Sequence, residues 1–371
     1  MSRRLSTLVK HLPDDSISLA KKSGGFWLTL NRPSRLNALT ISQSYFIRDS
    51  LTESAADPAC KFLILSGAGE RAFCAGGDVV TMAKWGREKT GGIVNWFSTE
   101  YKINCQFYDF QKPIISLWRG VVMGGGVGLS IYGRIRVATD STVWAMPETG
   151  IGFIPDIGAS FFLPRLVNKP GLGLYLALTG ARLHGADAFR FGLATHYVPG
   201  QKFPGLVTAL ETAVHAESTV AAFSTPGLTS SGKHMSDAHL LEISNFFTKT
   251  DSFEIFWKNL ISATPGSFAH ETISVLRSKC PLAVRLAFEL FKLGERPNET
   301  LRSALAREYR VAVYLTELNG SANFAEGVRA QLIDKGKGAP PSYNPAKIED
   351  VTEAMVKEAF WAGGIPDLQL A

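Results

Sequence analysis

Two carboxylates and a run of three glycines stand close together near the middle of the chain. Glu148 lies in AMPET and Asp156 in FIPDIG, each directly after a proline in an otherwise apolar, glycine-bearing stretch. Proline fixes φ and removes a backbone donor, so both acids are expected on rigid turns. Burial disfavours the ionised form of an acid, which makes both candidates for raised pKa values and acid–base chemistry. The alternative stays open at this point that both merely cap helices, as isolated acids after proline often do. Upstream, Gly124–Gly126 follow the β-rich run KPIISLWRGVV and precede an apolar pattern suited to a helix start. Glycine has no Cβ, so a ligand oxygen can approach main-chain N–H groups there, and those groups carry partial positive charge at a helix start. The guest this suits is an oxygen gaining negative charge. A second glycine pair, Gly76–Gly77, lies in the loop GAGERAFCAGGDV.

The elements that must position these residues alternate. FWLTLNRP reads as a strand, a helix is expected from Thr40 or Ser42 to about Ser54, and KFLILSG reads as a buried strand. Aromatic helical segments follow through Trp96 and Glu100 to Phe110, and then the strand that ends at the glycines. This order predicts an α/β fold with right-handed crossovers. After Arg165 the pattern gives a helix stopped at Gly180, a second helix, a short strand, and a helix from Phe203 to Glu217. STPGLTSSGKHMSD reads as a link, and from Asp237 to about Leu332 helix follows helix, punctuated at Pro265, Pro281 and Pro297. VTEAMVKEAFW predicts one last helix. The expected division is a segment at residues 1–15, a core over 16–217 and a C-terminal helical region over 218–371.

Composition narrows the function classes. The 371 residues are 45% hydrophobic and 19% charged, enough for a sizeable core, and one large domain with an extension is expected. The net charge of +6 suits an anionic small ligand, a nucleic-acid surface or an organelle with basic proteins. The basic residues are scattered and no motif reads as a nucleic-acid domain, so direct nucleic-acid recognition is disfavoured. Cys60, Cys74, Cys105 and Cys280 form no C-x-x-C pair, so neither a zinc site nor a disulfide framework is expected. No apolar run reaches the roughly 18 residues of a membrane span, so a soluble protein is expected. The glycines match neither a Walker P-loop nor a G-x-G-x-x-G, which disfavours nucleotide-hydride chemistry. His184 and His196 follow the site in sequence but receive no chemistry, since lone histidines are usually packed or hydrogen-bonded. At the N-terminus, MSRRLSTLVKHL has no acid and places Leu5, Leu8, Val9 and Leu12 at helical spacing, which predicts an amphipathic basic helix like a mitochondrial targeting segment. An ordinary basic terminus is the alternative.

Taken in order, NRPSRLNAL, AFCAGGD, VVMGGGVGLS and MPETGIGFIPDIGASFFLPRL resemble the crotonase (enoyl-CoA hydratase/isomerase) superfamily, and EYR at 308–310 with FAEGVRAQLIDK extends the likeness into the C-terminal part. Within it the pattern is nearest to the branch of 3-hydroxyisobutyryl-CoA hydrolases. The resemblance implies a spiral core of repeated ββα units and an acyl-CoA substrate. It also implies an oxyanion hole whose N–H donors fall on Gly77 and Gly125, in agreement with the reading of both glycine clusters. Family hydratases carry an acid two positions after the triple glycine, where this chain has Gly128, and glycine where it has Asp156. PET followed eight residues on by the Asp of PD resembles the hydrolases, in which positions matching Glu100, Gly125, Glu148 and Asp156 serve substrate binding or catalysis. Local pattern alone makes Glu100 a solvated helix acid. Arg35 in NRPSRLNAL is the candidate contact for CoA phosphates. The implied function is thioester hydrolysis in valine breakdown in the mitochondrion, with no metal and no cofactor beyond the CoA of the substrate. A homo-oligomer remains open. The alternatives are an enoyl-CoA hydratase/isomerase, or a non-catalytic subunit of the mitochondrial ribosome, to which this branch also resembles a recruit.

Overall fold

The computed structural model describes residues 9–225, 235–248, 250, 252–318 and 320–370. The strands, in chain order, are β1 Val9–His11, β2 Ile17–Lys22, β3 Gly25–Leu30, β4 Phe62–Gly67, β5 Ala72–Cys74, β6 Ile114–Trp118, β7 Val121–Met123, β8 Ile135–Ala138, β9 Val143–Ala145, β10 Leu183–His184 and β11 His196–Tyr197. Two compact units share the chain. The first holds the described residues of Met1–Gly77, Lys102–Trp144 and Leu183–His234, the second those of Asp78–Tyr101, Ala145–Arg182 and Met235–Ala371.

The first unit carries the sheets. Seven strands run in the order β1-β2-β3-β4-β6-β8-β11, and four in the order β10-β9-β7-β5. β1, β2 and β3 pair antiparallel, whereas β3, β4, β6, β8 and β11 are parallel. Every residue of β6 and β8 is buried, the signature of parallel strands covered on both faces. Trp27, Phe62, Ile64, Ile115, Leu117 and Val137 pack there with Phe203, Leu206 and Leu210. Non-directional burial of this kind, at about 25 cal/mol per Å² of apolar surface, is what holds the layers together. Opposite Phe62 in the β3–β4 register stands Gly25, where a Cβ would meet the phenyl ring at 2.0 Å. The helix Ile41–Ala56 opens with a capping box, Thr40 and Gln43 each accepting from the other's backbone N–H.

The second unit is helical. Val79–Glu88 is capped by Asp78, whose carboxylate accepts from Thr81 N, and the helix Gly92–Asp109 divides between the units after Tyr101. A 3₁₀ turn at Glu148–Ile151 and the helices Ala159–Leu166 and Leu172–Thr179 follow. The helices Asp237–Phe247, Phe253–Ile261, Phe268–Arg277, Pro281–Gly294, Leu301–Glu317, Ser321–Val328 and Glu353–Trp361 complete it.

Several expectations change. The basic amphipathic helix does not reach Leu12, because Val9–His11 is an edge strand paired with Ser18–Ala20, and residues 1–8 lie outside the described residues. AFC, read as loop, is β5, and the helix expected from Phe203 to Glu217 is two helices, Phe203–Thr212 and Ala216–Phe223, because Ala213 turns extended at ψ 140°. Most of the Ser/Thr/Gly-rich link falls outside the described residues. All four cysteines are buried and none is in a disulfide. No described helix is long and apolar enough to cross a membrane.

Candidate active site

In the first unit the two glycine clusters meet. Gly124 has φ 49° and ψ −127°, a conformation that a Cβ makes costly, and Val127 N and Gly128 N donate back to its carbonyl to start the helix Gly125–Ser130. Gly126 lies against β5, where a Cβ would stand 2.3 Å from the Cys74 carbonyl oxygen. The segment after β5 comes back to the same place: a Cβ on Gly76, at φ 101°, would be 3.4 Å from Gly125 N. Each glycine thus answers a separate demand, and the result brings the AGGD loop beside the N-terminal end of a helix whose first N–H groups have no intrahelical acceptor.

NRPSRLNAL holds that loop from behind. Asn37, fully buried at φ 56°, accepts from Arg32 N and donates to the carbonyls of Ala68 (3.0 Å) and Ala72 (2.8 Å). Ala75 N donates to Leu36 O and Leu39 N to Gly76 O, and Leu39 bridges Gly77 in parallel. The motif therefore shapes the position of Gly77. Arg35 ends the 3₁₀ turn Pro33–Arg35 and is exposed on the same unit.

The carboxylates gather in the second unit. Glu148 begins the 3₁₀ turn after Pro147, Asp156 lies between Pro155 and the helix Ala159–Leu166, and Glu100 comes from the helix Gly92–Asp109. None keeps more than 6% of its surface exposed. Glu100 accepts from Trp96 Nε1 at 2.9 Å, which corrects the local reading of a solvated helix acid: i and i+4 share a face, and here that face is inward. Asp156 Oδ2 accepts from the Tyr101 hydroxyl at 2.8 Å. Glu148 Oε2 is buried and has no hydrogen-bond partner among the described residues. Neither Glu148 nor Asp156 caps a helix with its side chain. Glu148 is itself the first residue of its turn, and the cap of Ala159–Leu166 comes from Glu308.

Burial is the main reason that all these acids resist ionisation. It pushes Glu100 up to about 7 against the pull of the Trp96 hydrogen bond. Glu148 is raised well above the ordinary range by burial and then by the nearby charges of Asp156 and Glu100. Asp156 is likewise raised, by burial and Glu100, with the Tyr101 hydrogen bond opposing. Acids this close cannot all ionise near neutrality, so the group holds both a proton to give and a carboxylate to receive one. Tyr101 and Glu308 carry no signal in local pattern, because their partners are 55 and about 150 residues away. His184 is exposed in β10, and His196 in β11 makes a hydrogen-bond contact with Thr195 Oγ1.

A family model described as enoyl-CoA hydratase/isomerase matches residues 26–360. The mitochondrial 3-hydroxyisobutyryl-CoA hydrolase of Homo sapiens is 36% identical over 382 residues, covering 99% of this chain and 96% of that one. The corresponding protein of Xenopus tropicalis is 35% identical over 369 residues, with coverage of 98% and 93%. Among solved structures, a carnitinyl-CoA dehydratase from Mycobacterium thermoresistibile matches with TM-score 0.83 at 33% identity, covering 96% of this chain and 98% of that one. An enoyl-CoA hydratase from Rhodobacter sphaeroides 2.4.1 matches with TM-score 0.80 at 31% identity, covering 96% and 100%.

Proposed function

Because the chain belongs to the enoyl-CoA hydratase/isomerase family, we propose that it hydrolyses an acyl-CoA thioester and that the acyl group is 3-hydroxyisobutyryl. The observation that carries this reading is the pair Glu148 and Asp156, buried together in the second unit, in a chain that aligns along its whole length with hydrolases of that substrate.

In this reading the N–H groups of Gly77 and Gly125 donate to the thioester oxygen, each such donor contributing about 2.7–4 kcal/mol to the transition state. Glu148 is the main catalytic carboxylate, either taking the proton of an attacking water or attacking the carbonyl carbon itself to form an anhydride that water then opens. Asp156 orients the water or the substrate hydroxyl, and a proton held by the acid group goes to the sulfur as the C–S bond breaks. The products are the free hydroxy acid and CoA with its thiol. Glu100 contacts the substrate and Arg35 the CoA phosphates. No metal or further cofactor enters. The compartment we assign is the mitochondrion, the location in the names of the relatives.

A hydratase is the second reading, favoured by the names of the solved structures. Against it, Gly128 stands where the family hydratases carry an acid, buried inside the helix Gly125–Ser130 with no side chain to offer. Parallel assays separate the two. Release of free thiol from 3-hydroxyisobutyryl-CoA, followed with a chromogenic disulfide, is expected to far exceed the buffer rate, with little hydration of crotonyl-CoA. Thiol release no faster than buffer would remove the hydrolase reading, and rapid loss of the crotonyl double bond would establish the other.

A further inference from the structure

Glu308 is a carboxylate that this chemistry leaves unused. It lies midway along the helix Leu301–Glu317 with 0% of its surface exposed. A helix interior gives a side-chain acid no backbone partner of its own, and burying one without donors is costly. The donors come from the turn that carries Asp156. Glu308 Oε2 accepts from Gly158 N at 2.6 Å, and Oε1 accepts from Ser160 N at 3.0 Å and from Ser160 Oγ at 2.6 Å.

That turn needs such support. Ile157 has φ 54° and Gly158 φ 83°, two left-handed residues in succession, and the first is β-branched, for which this region is strained. Ala159 N closes the turn onto the carbonyl of Asp156 at 2.9 Å. With Gly158 N and Ser160 N both directed to Glu308, every N–H from 158 to 160 has a partner, and the strained geometry is held from outside. The next residue acts on the same acid by another route. Tyr309 meets Tyr101 edge-on, ring centroids 6.4 Å apart, and Tyr101 donates to the carboxylate of Asp156. Adjacent residues of one helix thus hold the turn that follows Asp156 and brace the ring that holds its side chain.

A neutral cap would satisfy the same two N–H groups with less desolvation. Burial, opposed by the donors from Ser160 and Gly158, pushes Glu308 up to about 8, and the charge of Asp156 adds to that rise. The choice of an acid is therefore expensive for stability, and what distinguishes it from a neutral cap is that it accepts three hydrogen bonds at once and meets Asp156 as a further acid.

We propose that Glu308 is a positioning residue: through the turn Asp156–Ser160 it sets where Asp156 stands against Tyr101, and turnover depends on it although it touches no substrate. The inference rests on the hydrolytic reading above, and Asp156 is the residue through which it acts.

A double-mutant cycle on thioester turnover tests it. Glu308→Gln turns one of the two accepting oxygens into a donor, and it is expected to lower kcat by at least ~10-fold with KM within about threefold, since small displacements of a reacting group cost up to ~10²-fold. In an Asp156→Asn background, measured by single-turnover thiol release, the same change is expected to cost less than about twofold, because the carboxylate whose position matters is already gone. Equal losses in both backgrounds would make Glu308 a structural cap only, and kcat within about twofold of wild type would end the proposal outright. If Glu308→Gln does not fold, Ser160→Ala removes one of the three hydrogen bonds and carries the same test. A loss of about threefold that disappears beside Asp156→Asn is expected, and a loss that persists overturns the idea. Wild-type protein that releases no thiol sinks the hydrolytic reading and this inference with it, whereas an active wild type with an indifferent Glu308→Gln sinks this inference alone.

Discussion

Glu148 and Asp156 differ in what holds them. Asp156 is tied through its carboxylate to Tyr101, while one oxygen of Glu148 is buried with no partner among the described residues. The less restrained acid is the one assigned the bond-making role, so Glu148→Gln is expected to lower kcat by at least ~10², the scale of a positioned base. Turnover near normal in that variant would mean the role belongs elsewhere. Asp156→Gly restores the residue of the hydratases and is expected to abolish most hydrolysis while calorimetric affinity for a non-hydrolysable acyl-CoA persists. Full activity would refute the role of Asp156. Glu100 gives a pH signature instead. Its folded pKa, about 7, lies above the ordinary 4.5. Between those values the native state holds a proton that the unfolded chain has lost, so stability falls as pH rises through the window and stays reduced above it. Glu100→Gln should therefore melt higher relative to wild type at pH 8 than at pH 5, and a melting difference that does not grow with pH would contradict this. Both central acids and both glycine clusters were legible in the sequence because each sits in a short, strongly constrained string. Glu100 entered only by resemblance, Glu308 stood in the EYR string of the same resemblance with no role attached, and Tyr101 was missed, because a hydrogen bond across 55 or 150 positions leaves no mark on local spacing.

At the scale of elements, length decided what could be read. FLILSG and IISLW are long enough and apolar enough to announce buried strands, and the helix expected to start at Thr40 or Ser42 begins after Thr40, which caps it. β5, with three residues, and β8, with four, are shorter than any periodicity, and their strand state comes from their neighbours in the sheets. β5 matters beyond its size, since Cys74 is the surface against which the triple glycine packs. Gly126→Ala is expected to cost roughly 1–3 kcal/mol of stability through overpacking, because the atoms it meets include backbone that cannot step aside. Urea unfolding would measure it, and a midpoint unchanged from wild type would show that the Gly125–Ser130 helix shifts freely.

For the molecule as a whole, the described chain passes between its two compact units after Gly77, Tyr101, Trp144 and Arg182. A reading along the sequence yields contiguous blocks, and contacts between residues far apart in sequence are what sort these pieces. The net charge of +6 acts at this scale too, as a field that favours an anionic ligand. Arg35, exposed beside the turn that shapes Gly77, is expected to contribute directly: Arg35→Ala should weaken CoA binding at low salt and less so at moderate salt, as screening predicts. An unchanged Kd at both would dismiss the contact.

The buried cysteines acquire a meaning once the proposed product is considered. Each turnover would liberate a thiol, and oxidised CoA in the same compartment is a disulfide that any accessible protein thiolate attacks, leaving CoA attached as a mixed disulfide. Cys60, Cys74, Cys105 and Cys280 each expose 4% of their surface or less. Burial raises the Cys60 thiol above its ordinary value and pushes Cys280 up to about 12, so neither offers the reactive thiolate. The fold thereby keeps its own sulfur out of exchange with the sulfur its proposed chemistry sets free.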